Sequence, residues 1–317
     1  MDIKPFKGEH ISDASVLFRK GYAKLRSRFP YLPDKVEKTE WITEKLSGIV
    51  EKHPGFVAIR ANEVVGYMIG YPVIQELKGS QTGAYVPEWG NATARENSED
   101  ICTSLYRAIS ESWIDVRSYN HIISFLVNEN IIETMSLLGF GMQVIDAGRN
   151  LSQPRIETKP DVVIEIGTEK HIYQLQEIDH LINVHLEAAP CFLKRCNEIK
   201  DAGDIRKDFF SQDVITVVAT KGDKVVSCIR GRMHHGNTAL LHHKNVFGIN
   251  FGYTRQEYRN SKIATAVLSK AIEVASGDGA SMCSVDFEPQ NVAARYFWLS
   301  HFSPIIYSFI RKVDDRI

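Results

Sequence analysis

The feature that most constrains this chain is an internal repeat with a long period. The segment Ala58–Gly70 aligns with Ala219–Gly231 at a constant offset of 161 residues, and the same offset pairs Asn130 with Asn291. In both segments a short polar turn separates two β-branched runs, which is the pattern of a β-hairpin. Solenoid repeats are much shorter, about 20 to 50 residues. The long period therefore predicts a duplicated domain.

The boundary between the two copies is predicted from a stretch that contains two prolines. The segment Ser152–Asp161 holds these prolines and few apolar residues, which is typical of a linker. We therefore predict domains at residues 1–152 and 160–317. A chain of 317 residues is long enough for two domains of about 100 to 200 residues, each with its own core.

Charge and composition exclude several classes of partner. The net charge is −1, with charges of both signs interspersed, so the sequence predicts neither a nucleic-acid partner nor a membrane partner. The N-terminal residues lack an apolar leader, and no stretch approaches the roughly 18 apolar residues of a membrane span. The five cysteines are an odd number scattered through the chain. We therefore expect free thiols and a cytoplasmic protein.

The two halves share one order of predicted elements: helices, a hairpin, a third strand, a long helix, a strand, a short helix and a closing strand. This order predicts an α+β (mixed α/β) fold, in which each domain has a central twisted, mostly antiparallel sheet flanked by helices. In the second half we predict helices over 169–188, 191–209, 262–276 and 290–300, and strands over 214–220, 224–232, 246–254, 281–287 and 304–312.

A first motif follows the predicted strand 246–254. It reads Tyr258-Arg-Asn-Ser-Lys-Ile-Ala264 and resembles the signature Arg/Gln-x-x-Gly-x-Gly/Ala of the GNAT N-acetyltransferase superfamily. The resemblance implies that the backbone of this turn holds the pyrophosphate of coenzyme A at a helix N-terminus. The implied cofactor-binding residues of the turn are Arg259, Asn260, Ser261, Lys262, Ile263 and Ala264.

The turn departs from the family pattern at its centre. Lys262 stands where the first glycine of the signature falls, and Asn260 occupies a position that is often glycine as well. Two interpretations stay open. Either the Lys262 side chain swings outward and pairs with a phosphate, or the site is blocked.

A second motif lies in Val285–Phe302 and is similar to the family's Asn-x-x-Ala-x-x-Phe-Tyr/Trp. Asn291, Ala294, Phe297 and Trp298 fall in register with it. The resemblance implies that Asn291 contacts the cofactor and that Phe297 packs in the core. Trp298 takes the place where many members carry the tyrosine that protonates the departing thiolate, and an indole N–H cannot serve as that acid.

The acid must then come from another residue. Tyr258 and Tyr296 are the two candidates in the sequence, and the alternative for each is a structural role near the edge of the sheet.

The resemblance implies direct acetyl transfer, in which an amine attacks the thioester of acetyl-CoA. Backbone donors near Gly252, Tyr253 and Thr254 would polarise its carbonyl group. For the proton acceptor we favour Glu288, with Asp286 two residues before it on the same face of a strand. The alternative is that these two carboxylates only stabilise the N-terminus of the following helix.

The sequence contains further candidate ligands, which are histidines and cysteines. His234-His235 and His242-His243 flank a short loop and could bind a metal, line an acceptor pocket or form a solvated hairpin end. Cys191 and Cys196 lack partners at zinc-binding spacing, so we interpret them as helix-packing residues and predict no metal.

The first half has lost the phosphate signature. After Val86 the chain runs through residues 87–98 with no Arg-x-x-Gly-x-Gly before a predicted helix over 98–116. We therefore predict a degenerate first domain and a cofactor site in the second domain only.

The leading hypothesis is an acetyl-CoA-dependent N-acetyltransferase that acts on a small-molecule amine or a protein amino group. The alternative is a non-catalytic coenzyme A-binding, scaffold or regulatory module, and a homodimer is compatible with either. Function is decided by the site and not by the fold.

Overall fold

The computed structural model describes residues 1–78, 81–128, 130–152, 161–194 and 200–317. They form two compact units of helices and sheet: unit 1 is Met1–Ile145 with Pro304–Ile317, and unit 2 is Asp146–Ser303. The predicted mixed class of helix and sheet is confirmed.

The helices and strands are numbered in chain order. The first half contains β1 (Asp2–Pro5), α1 (Ile11–Arg28), α2 (Thr39–Val50), β2 (Gly55–Arg60), β3 (Glu63–Ile69), β4 (Tyr71–Lys78), β5 (Gln81–Val86), β6 (Asn91–Thr93), α3 (Ser98–Asp115), β7 (Asn120–Leu126), α4 (Ile131–Leu137) and β8 (Gly141–Asn150). The second half contains β9 (Val163–Ile166), α5 (Ile172–Glu187), α6 (Ala202–Phe210), β10 (Val214–Lys221), β11 (Lys224–Met233), β12 (Val246–Thr254), α7 (Ile263–Gly277), β13 (Met282–Phe287), α8 (Val292–Leu299) and β14 (Ser303–Lys312).

The two halves of the predicted repeat also share a shift of strand register at equivalent positions. The hairpin β2–β3 shifts register between Ala58 and Ile59. The hairpin β10–β11 does so between Ala219 and Thr220, which again lie 161 residues later. A β-bulge is a specific local device, so its recurrence at the same offset supports duplication more strongly than the shared hairpin does.

Both hairpin turns contain residues with positive φ, as the sequence pattern of a tight turn predicts. Ala61 and Asn62 both have positive φ, and so does Gly222 in the second hairpin. Left-handed residues at a two-residue turn match the twist of the flanking strands.

Unit 2 is built on the strand order β13-β12-β11-β10-β9. The pairs β9–β10, β10–β11 and β11–β12 are antiparallel, and β12–β13 is parallel. Helix α7 buries one apolar face, as its helical spacing predicts; the buried residues are Ile263, Ala266, Val267, Leu268, Ala271 and Ala275. The helices α5 and α6 pack with residues of β10, β11 and β12 in an apolar cluster.

A buried arginine holds α5 against the sheet of unit 2. The guanidinium of Arg255 donates to both carboxylate oxygens of Glu177 on α5, at 2.8 and 2.7 Å, and to the Val225 carbonyl at 2.8 Å. The charge-assisted hydrogen bonds lower the pKa of Glu177. Gln174 adds a second attachment by accepting from the Val225 N–H. The position of α5 over β11 and β12 is therefore fixed at two points.

Unit 1 has strands in the order β1-β2-β3-β6 and a second set in the order β4-β5-β7-β14. The pair β5–β7 is parallel and the pair β7–β14 is antiparallel. Its core contains Trp113, which is fully buried, and a cluster of aliphatic and aromatic side chains from α3, β5 and β7.

The bounds of the two units differ from those of the predicted domains at two places. The closing strand β14 groups with unit 1, where it pairs with β7, although the sequence boundary assigns 304–317 to the second domain. Residues 146–150 of β8 in turn belong to unit 2. Sequence order alone cannot show which of two similar strands pairs with which sheet.

One predicted helix is wrong at its start. Instead of a helix over 191–209, residues 191–194 form a turn and an irregular segment, and α6 begins only at Ala202, where Asp201 caps it. The interior of the predicted linker, 153–160, and Cys196 lie outside the described residues. The other predicted helices and strands of the second half agree with the structure within three residues.

None of the helices in the described ranges is long and apolar enough to cross a lipid bilayer.

Candidate functional site

The site begins where two neighbouring strands of unit 2 separate. Parallel pairing joins Val246–Ile249 of β12 to Met282–Val285 of β13. The antiparallel pairing of β12 with β11 continues to Thr254. Strand β12 therefore leaves β13 after Ile249, and a wedge opens between the two strands.

A β-bulge in β12 lies at the start of this wedge. Phe251 pairs with Arg230 and Ile249 pairs with Gly231, so Asn250 is the extra residue. The side-chain oxygen of Asn250 accepts from Nε of Arg230 at 3.0 Å. Bulges re-aim the residues that follow them, here the segment that leads into the wedge.

A cavity of about 490 Å³ occupies this part of unit 2. All eleven residues predicted to bind the cofactor line it: Gly252, Tyr253, Thr254, Arg259, Asn260, Ser261, Lys262, Ile263, Ala264, Asn291 and Trp298. Tyr258 and Tyr296, the two candidate acids, line it as well. The two sequence motifs therefore meet in one cavity of a size that suits a small-molecule ligand.

The N-terminus of α7 forms one wall of the cavity. Lys262 adopts the left-handed conformation that glycine favours, with φ of 63°, and Asn260 does so with φ of 60°. Within the described residues no side chain caps this N-terminus. Its first N–H groups and the positive end of the helix dipole are suited to an anion. Thus Asn260 and Lys262 both adopt a backbone conformation that glycine favours.

Two cations accompany this helix N-terminus. Lys262 is exposed and lines the cavity. The Nε of Arg259 donates to the Thr254 carbonyl at 3.1 Å, and its guanidinium lies 5.6 Å from the centroid of the Tyr253 ring. The electrostatic character of this wall therefore favours a phosphate.

The start of α8 forms the opposite wall. Asn291 caps α8 by accepting the Ala294 N–H at 3.3 Å. The buried indole of Trp298 packs on β12 so closely that a Cβ placed on Gly252 would lie 3.1 Å from its Cζ2. A side chain at position 252 would therefore require the indole of Trp298 to shift by a few tenths of an ångström.

His185 of α5 also lines this cavity, and sequence reasoning missed it. Its Nε2 lies 3.3 Å from Oδ1 of Asn291, and its ring meets the Tyr253 ring edge-on at 6.5 Å between centroids. His185 belongs to neither sequence motif. Because His185 and Asn291 are 106 residues apart in the chain, no local sequence pattern could have indicated that they are in contact.

The two predicted carboxylates are not among the described residues that line the cavity. Asp286 is exposed and accepts from the Asn237 side chain. Burial and, as a smaller cause, the Glu288 carboxylate raise the pKa of the Cys191 thiol. Their assignment as proton acceptors stays a prediction.

One cysteine in the cavity wall is not expected to act as a nucleophile. Cys228 lines the cavity, and burial raises the pKa of its thiol to about 12. At neutral pH the thiol therefore stays protonated, and it is the thiolate that attacks a thioester.

The histidine pairs lie at the loop between β11 and β12. The rings of His235 and His242 are exposed and meet edge-on at 5.3 Å between centroids. Neither lines the cavity described above. Among the described residues no three potential ligands cluster around a metal site.

Unit 1 differs from unit 2 at two places that correspond to the cavity walls. The residue 161 positions before Gly252 is Asn91, whose buried amide donates to the Ser124 carbonyl of β7 at 2.8 Å. This bond ties β6 to β7, whereas β12 and β13 part at the equivalent point. Glu99 and Asp100 lie in the first turn of α3, where they would repel a phosphate.

The sequence and the structure were compared with known proteins. Residues 178–302 match the profile of the acetyltransferase (GNAT) family. The GCN5-related N-acetyltransferase from Sphaerobacter thermophilus aligns over 98% of this chain and 95% of its own, with 12% identity and a TM-score of 0.56. The glucosamine N-acetyltransferase region of a fungal multi-domain β-N-acetylglucosaminidase aligns over 98% of this chain and 38% of its own, with 11% identity and a TM-score of 0.51. No curated protein matches the sequence.

Proposed function

We propose, because the chain belongs to the GNAT superfamily, that unit 2 binds acetyl-CoA and transfers its acetyl group to an amine. One observation supports this most directly: the separation of β12 from β13 opens a cavity whose wall is the uncapped N-terminus of α7. The pyrophosphate would bind at this N-terminus, with Lys262 and Arg259 as counter-ions. The acceptor class is a small-molecule amine or a protein amino group.

The thioester would lie along β12, where the strand has left β13. Backbone N–H groups near Gly252, Tyr253 and Thr254 would then polarise its carbonyl, and a preorganised donor of this kind contributes about 10² to 10³ in rate. Direct attack by the amine is favoured over an acyl-cysteine intermediate, because Cys228 stays a neutral thiol at neutral pH.

One feature favours a non-catalytic alternative. Trp298 replaces the tyrosine that the family resemblance implies as the acid, and its indole is buried against Gly252. A module that binds coenzyme A without turnover would tolerate this replacement. Product formation separates the two functions.

Turnover is tested with the full-length chain, acetyl-CoA and a panel of primary amines that includes a diamine and a lysine peptide. We expect amine-dependent release of free thiol and an acetylated amine in the mass spectrum. The matched control is Gly252→Asn, which gives unit 2 the residue found at the equivalent position of unit 1. Its Cβ would lie 3.1 Å from Cζ2 of Trp298 and would crowd this wall of the cavity, so we expect turnover to fall at least about tenfold.

Two results would contradict this assignment. Acetyl-CoA binding without any thiol release across the panel would favour the binding module. Equal turnover by the wild type and Gly252→Asn would show that the wedge does not hold the thioester.

A further inference from the structure

The contacts of His185 define the state of its imidazole ring. The side-chain oxygen of Asn291 accepts the Ala294 N–H at 3.3 Å, and this bond settles which end of the amide is the oxygen. His185 Nε2 lies 3.3 Å from the same oxygen. An amide oxygen only accepts hydrogen bonds, so Nε2 must carry a proton and donate it.

A neutral imidazole carries one proton, so the tautomer at His185 has its lone pair on Nδ1. The ring orientation is set from two sides, by Asn291, which caps α8, and by the edge-on contact with Tyr253 of β12. Helix α5 is itself held by the Arg255–Glu177 pair two turns earlier. The cavity therefore contains an oriented imidazole with one basic nitrogen.

We infer that His185 is the general base of unit 2, with Asn291 as the residue that holds its tautomer. This inference rests on the proposed function. In this step Nδ1 of His185 takes a proton from the acceptor ammonium and later releases it to solvent. The freed amine nitrogen forms a bond to the thioester carbonyl carbon, and the carbon–sulfur bond breaks. The proton that the new amide nitrogen sheds neutralises the departing thiolate.

The position of His185 distinguishes it from the two carboxylates favoured on sequence grounds. His185 lines the cavity together with Gly252, whereas Asp286 and Glu288 are absent from the described lining residues. A general base must come within hydrogen-bond reach of the proton that it abstracts. The geometry therefore favours the His185 imidazole over the two carboxylates as the general base.

The test uses a reaction that needs no known acceptor, the slow release of thiol from acetyl-CoA when water is the nucleophile. Acetyl-CoA affinity is measured in parallel by calorimetry on the same full-length proteins. We expect His185→Ala to slow release at least about tenfold, to keep acetyl-CoA affinity within about twofold, and to recover rate when imidazole is added. The control is His180→Ala, which removes an exposed histidine from the same helix and should behave as the wild type.

Each other outcome overturns the inference in a distinguishable way. Wild-type rates in His185→Ala, or a loss that imidazole does not restore, would leave the cofactor site intact and remove His185 as the base. Acetyl-CoA binding with no thiol release above buffer would do the same, since a base in the cavity must activate the water there. Absence of acetyl-CoA binding by the wild type would overturn the proposed function and this inference together.

Discussion

Replacing Lys262 with glutamate is expected to weaken acetyl-CoA binding about 30-fold to 100-fold, or about 2 to 3 kcal/mol. The proposed pyrophosphate site lies at the N-terminus of α7, and Lys262 is the residue immediately before the helix. The substitution removes a cation and adds an anion beside two phosphates. The side chain is exposed, so the fold should tolerate the change. Calorimetric titration of both proteins measures the difference.

Lys270→Glu is the matched control for this variant. Lys270 lies on α7 as well, but two turns beyond its N-terminus, where it pairs with Glu273. The same change of charge there should leave the affinity within about twofold, because water and salt screen distant charges. Equal losses in the two variants would mean that only the net charge matters and that no specific phosphate site exists at Lys262.

Acidification is expected to destabilise unit 1 through His121. This histidine is fully buried, and burial, with the nearby Arg311 guanidinium as a smaller cause, lowers its pKa to about 4. Its Nε2 donates to the Ser118 carbonyl at 2.9 Å, so Nδ1 accepts from the Tyr106 hydroxyl, also at 2.9 Å. Protonation of Nδ1 would remove that acceptor and bury a charge.

The sign of the effect follows from proton linkage. In the unfolded chain histidine takes up its proton near pH 6.5, whereas His121 in the folded unit does so only near pH 4. Between these values the unfolded state binds more protons, so the free energy of unfolding falls as the pH is lowered. The contribution of His121 is complete above pH 6.5, and its loss reaches about 3 kcal/mol below pH 4.

The measurement is urea unfolding at several pH values between 7 and 4. Three of the four tryptophans lie in unit 1, so fluorescence in a Trp298→Phe background reports on that unit. We expect His121→Phe to be less stable at pH 7 and to lose less stability on acidification than its parent. His235→Phe, at an exposed position, should keep the parent slope. If the free energy of unfolding of His121→Phe depended on pH as steeply as that of its parent, His121 would not be the cause of the acid destabilisation.

Local pattern explains why so much of the fold could be predicted. The hairpins are specified by β-branched runs and by turn residues that tolerate positive φ, such as Asn62 and Gly222. The offset of 161 residues carries over even to the bulges. These features depend on a few neighbouring residues, so the sequence displays them directly.

Long-range choices could not be predicted. Strands β8 and β14 occupy equivalent places in the two halves, and only the completed sheets decide that β14 pairs with β7. The helix predicted over 191–209 was wrong at its start, because α6 begins only after Asp201, whose side chain caps it.

The residues of the candidate site also divide into those that local motifs predict and those that only long-range contacts bring together. Its cofactor-binding residues lie in two contiguous motifs, and all of them line one cavity. His185 enters from α5, a helix that the motifs do not include, and it meets Asn291 only through folding. The acid and base assignments depended on such distant contacts, which explains why sequence reasoning favoured nearby carboxylates instead.

The most direct test of the account is the stoichiometry of acetyl-CoA binding to the full-length chain, measured by calorimetry. Unit 2 has an open wedge with a cationic helix N-terminus, whereas in unit 1 the Asn91–Ser124 bond ties the equivalent strands together and acids occupy the start of α3. We therefore expect one molecule bound per chain, with weaker binding in Lys262→Glu. Two molecules per chain, or none, would contradict the account.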